Sequence, residues 1–259
     1  MIRNPFESAD GAARYAVGRP YVHPLFMERL RPWLGGAALG VDVACGTGLS
    51  SVALAELVER VLAFDVSAAL LEQAAPHPRV AYALAPAEAL PLPDTCLDVL
   101  TVAQGIHWFD RPRFYAEARR TLKPGGVLAV YDMFFRGEMV GQPEFGRWTD
   151  GVYMARYPAP PRFPYALDEA QATAEGFSFH EERFDHLQPF RRAELVAYLL
   201  THSNTVAASD PSFPEPTRGR ETPEETEAWL NAELKRFLPG ETVGQFGFGG
   251  LIRVLKPLA

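Results

Sequence analysis

Cysteine is nearly absent: Cys45 and Cys96 are the only two among 259 residues, too few for a disulfide framework or a zinc ribbon. Basic residues are outnumbered, 25 Lys and Arg against 32 Asp and Glu, which leaves a net charge of −7. An electrostatic nucleic-acid binder needs a basic face to neutralise phosphates, and the balance here runs the other way. Long apolar runs are missing as well. The longest uncharged stretch, 195–209, has 15 residues and is interrupted by Thr201-His202-Ser203-Asn204-Thr205, short of the ~20 apolar residues of a membrane helix. Met1-Ile2-Arg3-Asn4-Pro5 is polar and lacks the apolar stretch of a secretion signal. The expectation is a cytoplasmic chain with neither a membrane nor a nucleic-acid partner. What is there suffices for a core: 47% of residues are hydrophobic and 22% charged. Proline is in surplus, 23 residues or about 9% against a usual ~5%.

Strand and helix signals alternate from Leu39 to Asp132. Strands are expected at 39–44, 61–64, 80–84, 97–102 and 127–131, and helices at 49–59, 68–75 and 111–122. Ser67 and Asp110 are the expected caps of the second and third helices. Short loops between alternating elements argue for an α/β fold with a doubly wound, mostly parallel sheet. After Asp132 the pattern changes. Residues 134–164 carry Pro143, Pro158, Pro160, Pro161 and Pro164 among Phe145, Trp148, Tyr153, Tyr157 and Phe163, and are expected to be irregular. Helix resumes at 165–176, a strand at 178–187, helices near 192–207 and 223–237, and a last strand at 246–254 that its glycines weaken.

Val41-Asp42-Val43-Ala44-Cys45-Gly46-Thr47-Gly48 sets a Gly-x-Gly turn between the first strand and the first helix. Glycines there let the chain turn sharply and let a ligand approach peptide N–H groups at a helix N-terminus. Asp65 follows at the end of the second strand, where a carboxylate can accept from both hydroxyls of a ribose; the competing reading makes it a turn residue that caps the next helix. A dinucleotide fingerprint would have a third Gly or Ala where Ser51 stands. No Gly-Lys-Ser/Thr phosphate loop follows either. The ligand is therefore read as a single nucleoside with a short appended group.

Four stretches then occur in a telling order: the 41–48 loop, Asp65, Ala87-Glu88-Ala89-Leu90-Pro91-Leu92-Pro93-Asp94, and Arg120-Thr121-Leu122-Lys123-Pro124-Gly125-Gly126. Together they resemble the class I S-adenosylmethionine-dependent methyltransferases, over about a third of the chain. The stretches 103–110 and 15–21 more narrowly resemble the branch of trans-aconitate methyltransferase-like proteins. The resemblance implies a seven-stranded Rossmann-like methyltransferase fold with helical lids. It implies a single domain, with a core at 33–132, 165–187 and 240–259 and lid segments at 1–30, 134–164 and 191–239. S-adenosylmethionine is the implied cofactor. Gly46, Thr47 and Gly48 would approach its methionine part, with Asp42 supporting that loop. Asp65 would hold the ribose, Val66 would lie beside the adenine, and Ala87 and Glu88 would sit at the adenine edge. Gln104 would reach the amino-acid end, and Tyr15 with Arg19 would clamp the methionine carboxylate; an ordinary amphipathic N-terminal helix is the alternative for that pair. Pro86 stands where many relatives have an acidic residue, so an acidic contact to the adenine amine is lost there.

Methyl transfer from a sulfonium is an in-line displacement in which the protein supplies alignment and excludes water. A carboxylate acceptor needs no base. Where a base is needed, His107 is the candidate just past the fourth strand, against a reading of His107-Trp108-Phe109 as a packing element. Trp108 and Arg147 are candidates for the acceptor site, with Arg136, Arg156 and Arg162 as further cations, each also readable as a solvated side chain. Cys45 reads as packing rather than a nucleophile. No metal site is expected among the six histidines, and no Gly-x-Ser-x-Gly elbow occurs. The expected partner is a small-molecule acceptor, methylated on a hydroxyl or carboxyl oxygen by a monomer or homodimer. The rival readings are an NAD-dependent oxidoreductase and a non-catalytic protein that only binds the cofactor.

Overall fold

The computed structural model describes residues 9–159, 167–209 and 221–258. Seven strands, β1 (Leu39–Val43), β2 (Arg60–Asp65), β3 (Val80–Leu84), β4 (Leu97–Ala103), β5 (Leu122–Met139), β6 (Phe177–Phe190) and β7 (Gly244–Pro257), form a sheet in the order β3-β2-β1-β4-β5-β7-β6. The pairings β3 with β2, β2 with β1, β1 with β4 and β4 with β5 are all parallel. Their order reverses at β1 and β4, the switch point at which the carboxyl ends of strands in such sheets take ligands. The described chain comprises two compact units. One holds residues 21–133, 167–183 and 250–258; the other holds 9–20, 134–159, 184–209 and 221–249.

The first of these, here the sheet unit, contains the cofactor motifs. Val41, Val43, Leu100, Val102, Leu128 and Val130 are all buried, so adjacent parallel strands expose almost no apolar surface and each such side chain contributes about 1.5–3 kcal/mol of burial. Ser67 caps the short helix Ala68–Leu71, its Oγ accepting from Leu70 N at 3.3 Å. Asp110 caps Arg111–Thr121. The helix expected over 49–59 stops at Leu54, and the chain turns through Glu56 and Leu57, whose N–H groups bond to Ala53 and Leu54 carbonyls. The helix expected to run to Ala75 likewise ends at Leu71. There the Ala75 N–H is taken by the Thr47 carbonyl at 2.9 Å instead.

Two of the recognised motifs are tied together by one side chain. Arg120 donates to Asp94 (2.6 Å), to the Glu117 carboxylate and to the carbonyls of Leu92 and Leu90. Glu117 in turn accepts from Leu90 N at 2.6 Å, and Arg120 holds the Glu117 carboxyl below its ordinary range. The Ala87–Asp94 loop is thus pinned to the end of the helix that precedes β5.

The other unit corrects the reading of 134–164 as irregular. β5 continues through Met139, a helix spans Pro143–Trp148, a wider turn covers Thr149–Tyr153, and Met154–Arg156 is helical again. The aromatic residues are the reason. Phe145, Trp148, Tyr153 and Tyr157 are buried and pack in contact with Trp229, Phe237 and Phe246. A segment dense in large apolar side chains makes a core of its own despite its prolines. Arg162 and Phe163, Pro160, Pro161 and Pro164, and Pro211, Pro214 and Pro216 lie outside the described residues. Among the described residues no helix is long and apolar enough to cross a membrane.

Candidate functional site

At the carboxyl end of β1 the chain departs from ordinary strand geometry at three nearby positions. Ala44, Gly46 and Gly48 all have positive φ, 52°, 54° and 78°. A Cβ on Gly48 would lie 2.2 Å from Tyr82 Oη, so only glycine fits under that phenol. A Cβ on Gly46 meets nothing within 4 Å: the loop is open on the side where peptide groups can meet a ligand. Across the strand end, a Cβ on Gly105 would lie 2.7 Å from the Ala44 methyl, so the β1 and β4 loops are in close contact.

Asp42 is fully buried beneath this loop. Its Oδ2 accepts from Ser50 Oγ (2.6 Å) and Ser51 Oγ (2.7 Å), and its Oδ1 accepts from Thr101 Oγ1 (2.8 Å). Two of those hydroxyls belong to the helix that starts at Leu49, and the third lies opposite Asp42 in β4. The loop therefore starts from a fixed point. Burial holds the Asp42 carboxyl above its ordinary range, against three hydroxyls that favour the ion. The native state consequently binds this proton more tightly than the unfolded chain does. Its contribution to stability is complete below the ordinary carboxylate range and is lost as pH rises through the raised value. Asp42→Asn removes that loss, so its urea midpoint is expected to rise relative to wild type between pH 4 and pH 7; a difference that does not change with pH counts against the buried charge.

Asp65 stands at the end of β2, 5% exposed. Its Oδ2 accepts from Gly46 N and its Oδ1 from Ser67 N, both at 2.8 Å. Each carboxylate oxygen retains capacity for a further donor. Asp65 thus braces the turn and keeps acceptor capacity for further donors. Val66 next to it is 63% exposed, an apolar side chain in the open beside a polar anchor. Burial pushes the Asp65 carboxyl up, while the N–H groups of Ser67, Gly46 and Val66 oppose that.

Burial, and then the charges of Asp42 and Asp65, push the Cys45 thiol well above its ordinary range. Cys45 is expected to resist iodoacetamide at pH 7.5 in the folded protein, since the thiolate is the nucleophile; rapid stoichiometric labelling, read by mass spectrometry, would contradict this.

The remaining candidates in the sheet unit are placed as follows. Gln104 has φ 54°, and its N–H donates to the Tyr131 carbonyl at 2.9 Å; a bulky residue held at positive φ marks a constrained site. Ala87 is buried. Glu88 spends Oε1 on Asp110 N at 2.8 Å, so its carboxylate braces the start of the helix Arg111–Thr121. His107 lies in the turn Ile106–Trp108 with its ring 4.7 Å from that of Trp108, which is 37% exposed. Two residues beside these carried no motif signal in the sequence: Tyr82, and Tyr131, whose carbonyl holds Gln104. Tyr82 covers Gly48, donates to the Ala75 carbonyl at 2.7 Å, and is pushed up to about 12 by burial.

Tyr15, Arg19 and Arg147 belong to the other unit. The helix Ala9–Gly18 does form there, and the Arg19 guanidinium lies 4.7 Å from the Tyr15 ring centroid and 5.7 Å from that of Tyr198. Arg19 Nη2 donates to the Thr201 carbonyl at 3.1 Å, while its buried Nε has no hydrogen-bond partner. Arg147 is exposed and pairs with Glu144 one turn earlier. Arg136 pairs with Asp185, and Arg156 with Glu221 at 2.6 Å.

Residues 41–130 match the methyltransferase domain family. They belong to the class I S-adenosylmethionine-dependent methyltransferases. A protein of Dictyostelium discoideum named as a methyltransferase is 38% identical over 93 residues, which cover 36% of this chain and 35% of that one. A malonyl-[acyl-carrier protein] O-methyltransferase of Hahella chejuensis is 38% identical over 94 residues, 34% of each chain. A solved structure from Anaeromyxobacter dehalogenans, described as a type II methyltransferase, has a TM-score of 0.67 and 28% identity, and the match covers 91% of this chain and 96% of that one. The chain spans about a third to a half of the length of the curated relatives it matches.

The methyltransferase residues fit S-adenosylmethionine as their cofactor on local grounds. A loop open at Gly46, a carboxylate with spare acceptor capacity at Asp65 and an exposed apolar side chain at Val66 suit, in turn, an amino-acid group, a ribose and a flat base.

Proposed function

We propose that this chain transfers a methyl group from S-adenosylmethionine to a small-molecule acceptor through a hydroxyl or carboxyl oxygen. The observation that carries the proposal is the arrangement of the open Gly46 loop, Asp65 and Val66 at the carboxyl ends of β1 and β2. In it, Gly46, Thr47 and Gly48 line the methionine part, Asp42 fixes their loop and Asp65 accepts from the ribose. Val66 and the Ala87 backbone flank the adenine, Glu88 offers its second oxygen at the adenine edge, and Gln104 reaches the amino-acid end. The cofactor supplies an activated methyl; the residues align it and keep water out.

For the acceptor, the support is chemical. A net charge of −7 disfavours a polyanionic acceptor. A carboxylate is already ionised and needs no proton removed, so a transferase for it can work without a base. The match to the Hahella relative covers only 34% of each chain and so supports the transferase reading more than any particular acceptor. His107 as base, with Trp108 and Arg147 in acceptor binding, completes the assignment, together with the narrower likeness to the trans-aconitate branch. Arg19 has no acidic partner among the described residues and a buried Nε without an acceptor, so the proposal gives Tyr15 and Arg19 a ligand carboxylate.

The test is transfer of labelled methyl from S-adenosylmethionine to a small-molecule extract, run beside RNA and protein. Label in the small-molecule fraction is expected. Label only in RNA or protein overturns the acceptor class, tight binding of NAD in calorimetry favours the oxidoreductase, and tight binding of S-adenosylhomocysteine with no turnover favours a non-catalytic binder.

A further inference from the structure

The last strand, β7, alternates phenylalanine and glycine over Phe246-Gly247-Phe248-Gly249. Successive residues of a strand face opposite sides, and here the phenylalanines are buried against Phe135 and Phe190, which leaves glycine on the other face. Glycine inside a strand costs stability and often marks a place that a ligand approaches closely. The two glycines differ in what covers them. Phe134 lies over Gly249, where a Cβ would be 2.2 Å from the Phe134 Cζ. At Gly247 a Cβ would first meet the Glu138 carboxylate, with Oε2 at 3.2 Å. A cleft of about 370 Å³ opens there between the end of β5, the start of the helix Pro143–Trp148 and Leu187 of β6. Its size falls within the ~300–1,000 Å³ of small-ligand pockets. All of its lining residues belong to one compact unit, the one that does not hold the cofactor motifs.

We propose that this cleft binds a small organic ammonium ion, an alkylamine in its protonated form, with its charge on Glu138 and its alkyl chain along Val140 and Leu187. Glu138 is the one charged residue among those that line it. The cation two positions earlier on β5, Arg136, pairs with Asp185, which leaves Glu138 without an ion pair among the described residues. Val140 and Leu187 are 59% and 52% exposed, large apolar side chains left in water at the mouth, and Met139 extends the apolar wall. An ammonium group has three donors. Glu138 accepts from it in charge-assisted bonds, and the Gln142 side chain, which caps no helix N–H, offers a carbonyl beside it. A metal ion fits poorly, since no three of His, Cys, Asp and Glu gather into a possible metal site among the described residues. An anion would face a carboxylate with no cation in the lining. A neutral chain would use the walls and leave the carboxylate without a partner. Glycine at position 247 is what keeps the floor open, because a side chain there would fill it and push the carboxylate aside. None of these residues takes part in the proposed methyl transfer, so the site stands or falls apart from it.

The probe is hexylammonium, with hexanol and hexanoate as its neutral and anionic counterparts, each titrated into the full chain carrying 13C-methyl methionine. Met139→Leu assigns the Met139 signal. Hexylammonium is expected to move that signal saturably, hexanol to bind about tenfold more weakly or less, and hexanoate to leave the signal unmoved. Glu138→Gln, a change at an exposed position, is expected to weaken hexylammonium by about tenfold or more and to remove its advantage over hexanol. Gly247→Val is expected to lose hexylammonium while melting within a few degrees of wild type, because a β-branched residue suits a strand. Equal affinity for hexanol, an unmoved Met139 signal, or unchanged affinity in Glu138→Gln overturns the proposal. So does movement of all five methionine methyls together, which marks detergent-like association. If Gly247→Val fails to fold, Glu138→Gln and the hexanol comparison decide.

Discussion

Asp65→Ala is expected to lower affinity for S-adenosylhomocysteine by about a hundredfold or more, as read by calorimetry. Hydrogen bonds from the two ribose hydroxyls to an ionised acceptor are worth about 1.5–3 kcal/mol each. Their loss alone reaches that factor, because about 1.4 kcal/mol is tenfold in affinity. A second effect has the same sign. Asp65 also accepts from Gly46 N and Ser67 N, so the variant leaves two backbone donors without their partner and loosens the Gly46 turn. Asp65→Asn separates the contributions poorly, since either orientation of the amide sets its NH2 group against one of those two N–H groups. A clean control is the melting temperature: the alanine variant should lose much more in binding than in folding. Affinity within a few-fold of wild type would mean that the ribose is held elsewhere.

The part of the fold that was legible from the sequence is the part governed by local rules. β-α alternation from β1 to β5 followed from apolar runs bounded by glycine, proline and capping residues, and Ser67 and Asp110 cap where their side chains predict. Helix ends at Leu54 and Leu71 were missed because the next turn of chain finds better partners elsewhere, as Ala75 does at Thr47. The 134–164 segment was misread for a different reason: prolines signal local irregularity, but burial of Phe145, Trp148 and Tyr153 is a property of the tertiary packing, which local pattern does not encode.

The site was legible to a similar depth. Gly46, Gly48 and Asp65 converge as their spacing suggested, since a turn and the adjacent strand end are set by short-range geometry. Glu88 shows the limit, for it was expected at the adenine edge and its bond to Asp110 N was not foreseen. Tyr82 and Tyr131 are the residues that sequence could not supply. Tyr82 holds the Ala75 carbonyl through its hydroxyl and Tyr131 takes the Gln104 N–H on its carbonyl, and nothing local distinguishes such a tyrosine from one that merely fills the core.

Gly48→Ala tests that coupling between strands, and its expected effect is the second large one. The position has φ 78°, where an L side chain costs about 1–2 kcal/mol. The added Cβ would also sit 2.2 Å from Tyr82 Oη and 2.7 Å from its Cζ, a clash that crowding of a packed site prices at about a further 1–3 kcal/mol. Tyr82 cannot simply swing away, because its hydroxyl is held by the Ala75 carbonyl at 2.7 Å while Ala75 N is held by Thr47 O in the same loop. A shift of the phenol thus pulls on the loop that the new methyl has already strained. The variant is expected to lose about 2–4 kcal/mol in urea unfolding and to bind S-adenosylhomocysteine weakly. Tyr82→Leu opens space for the methyl but leaves φ unchanged, so Gly48→Ala in the Tyr82→Leu background should recover the clash and keep the conformational cost. A double-mutant cycle measures this as a coupling energy of about 1–3 kcal/mol. Strict additivity of the two substitutions would show that the loop yields without involving Tyr82, and that the left-handed turn alone is what requires glycine at position 48.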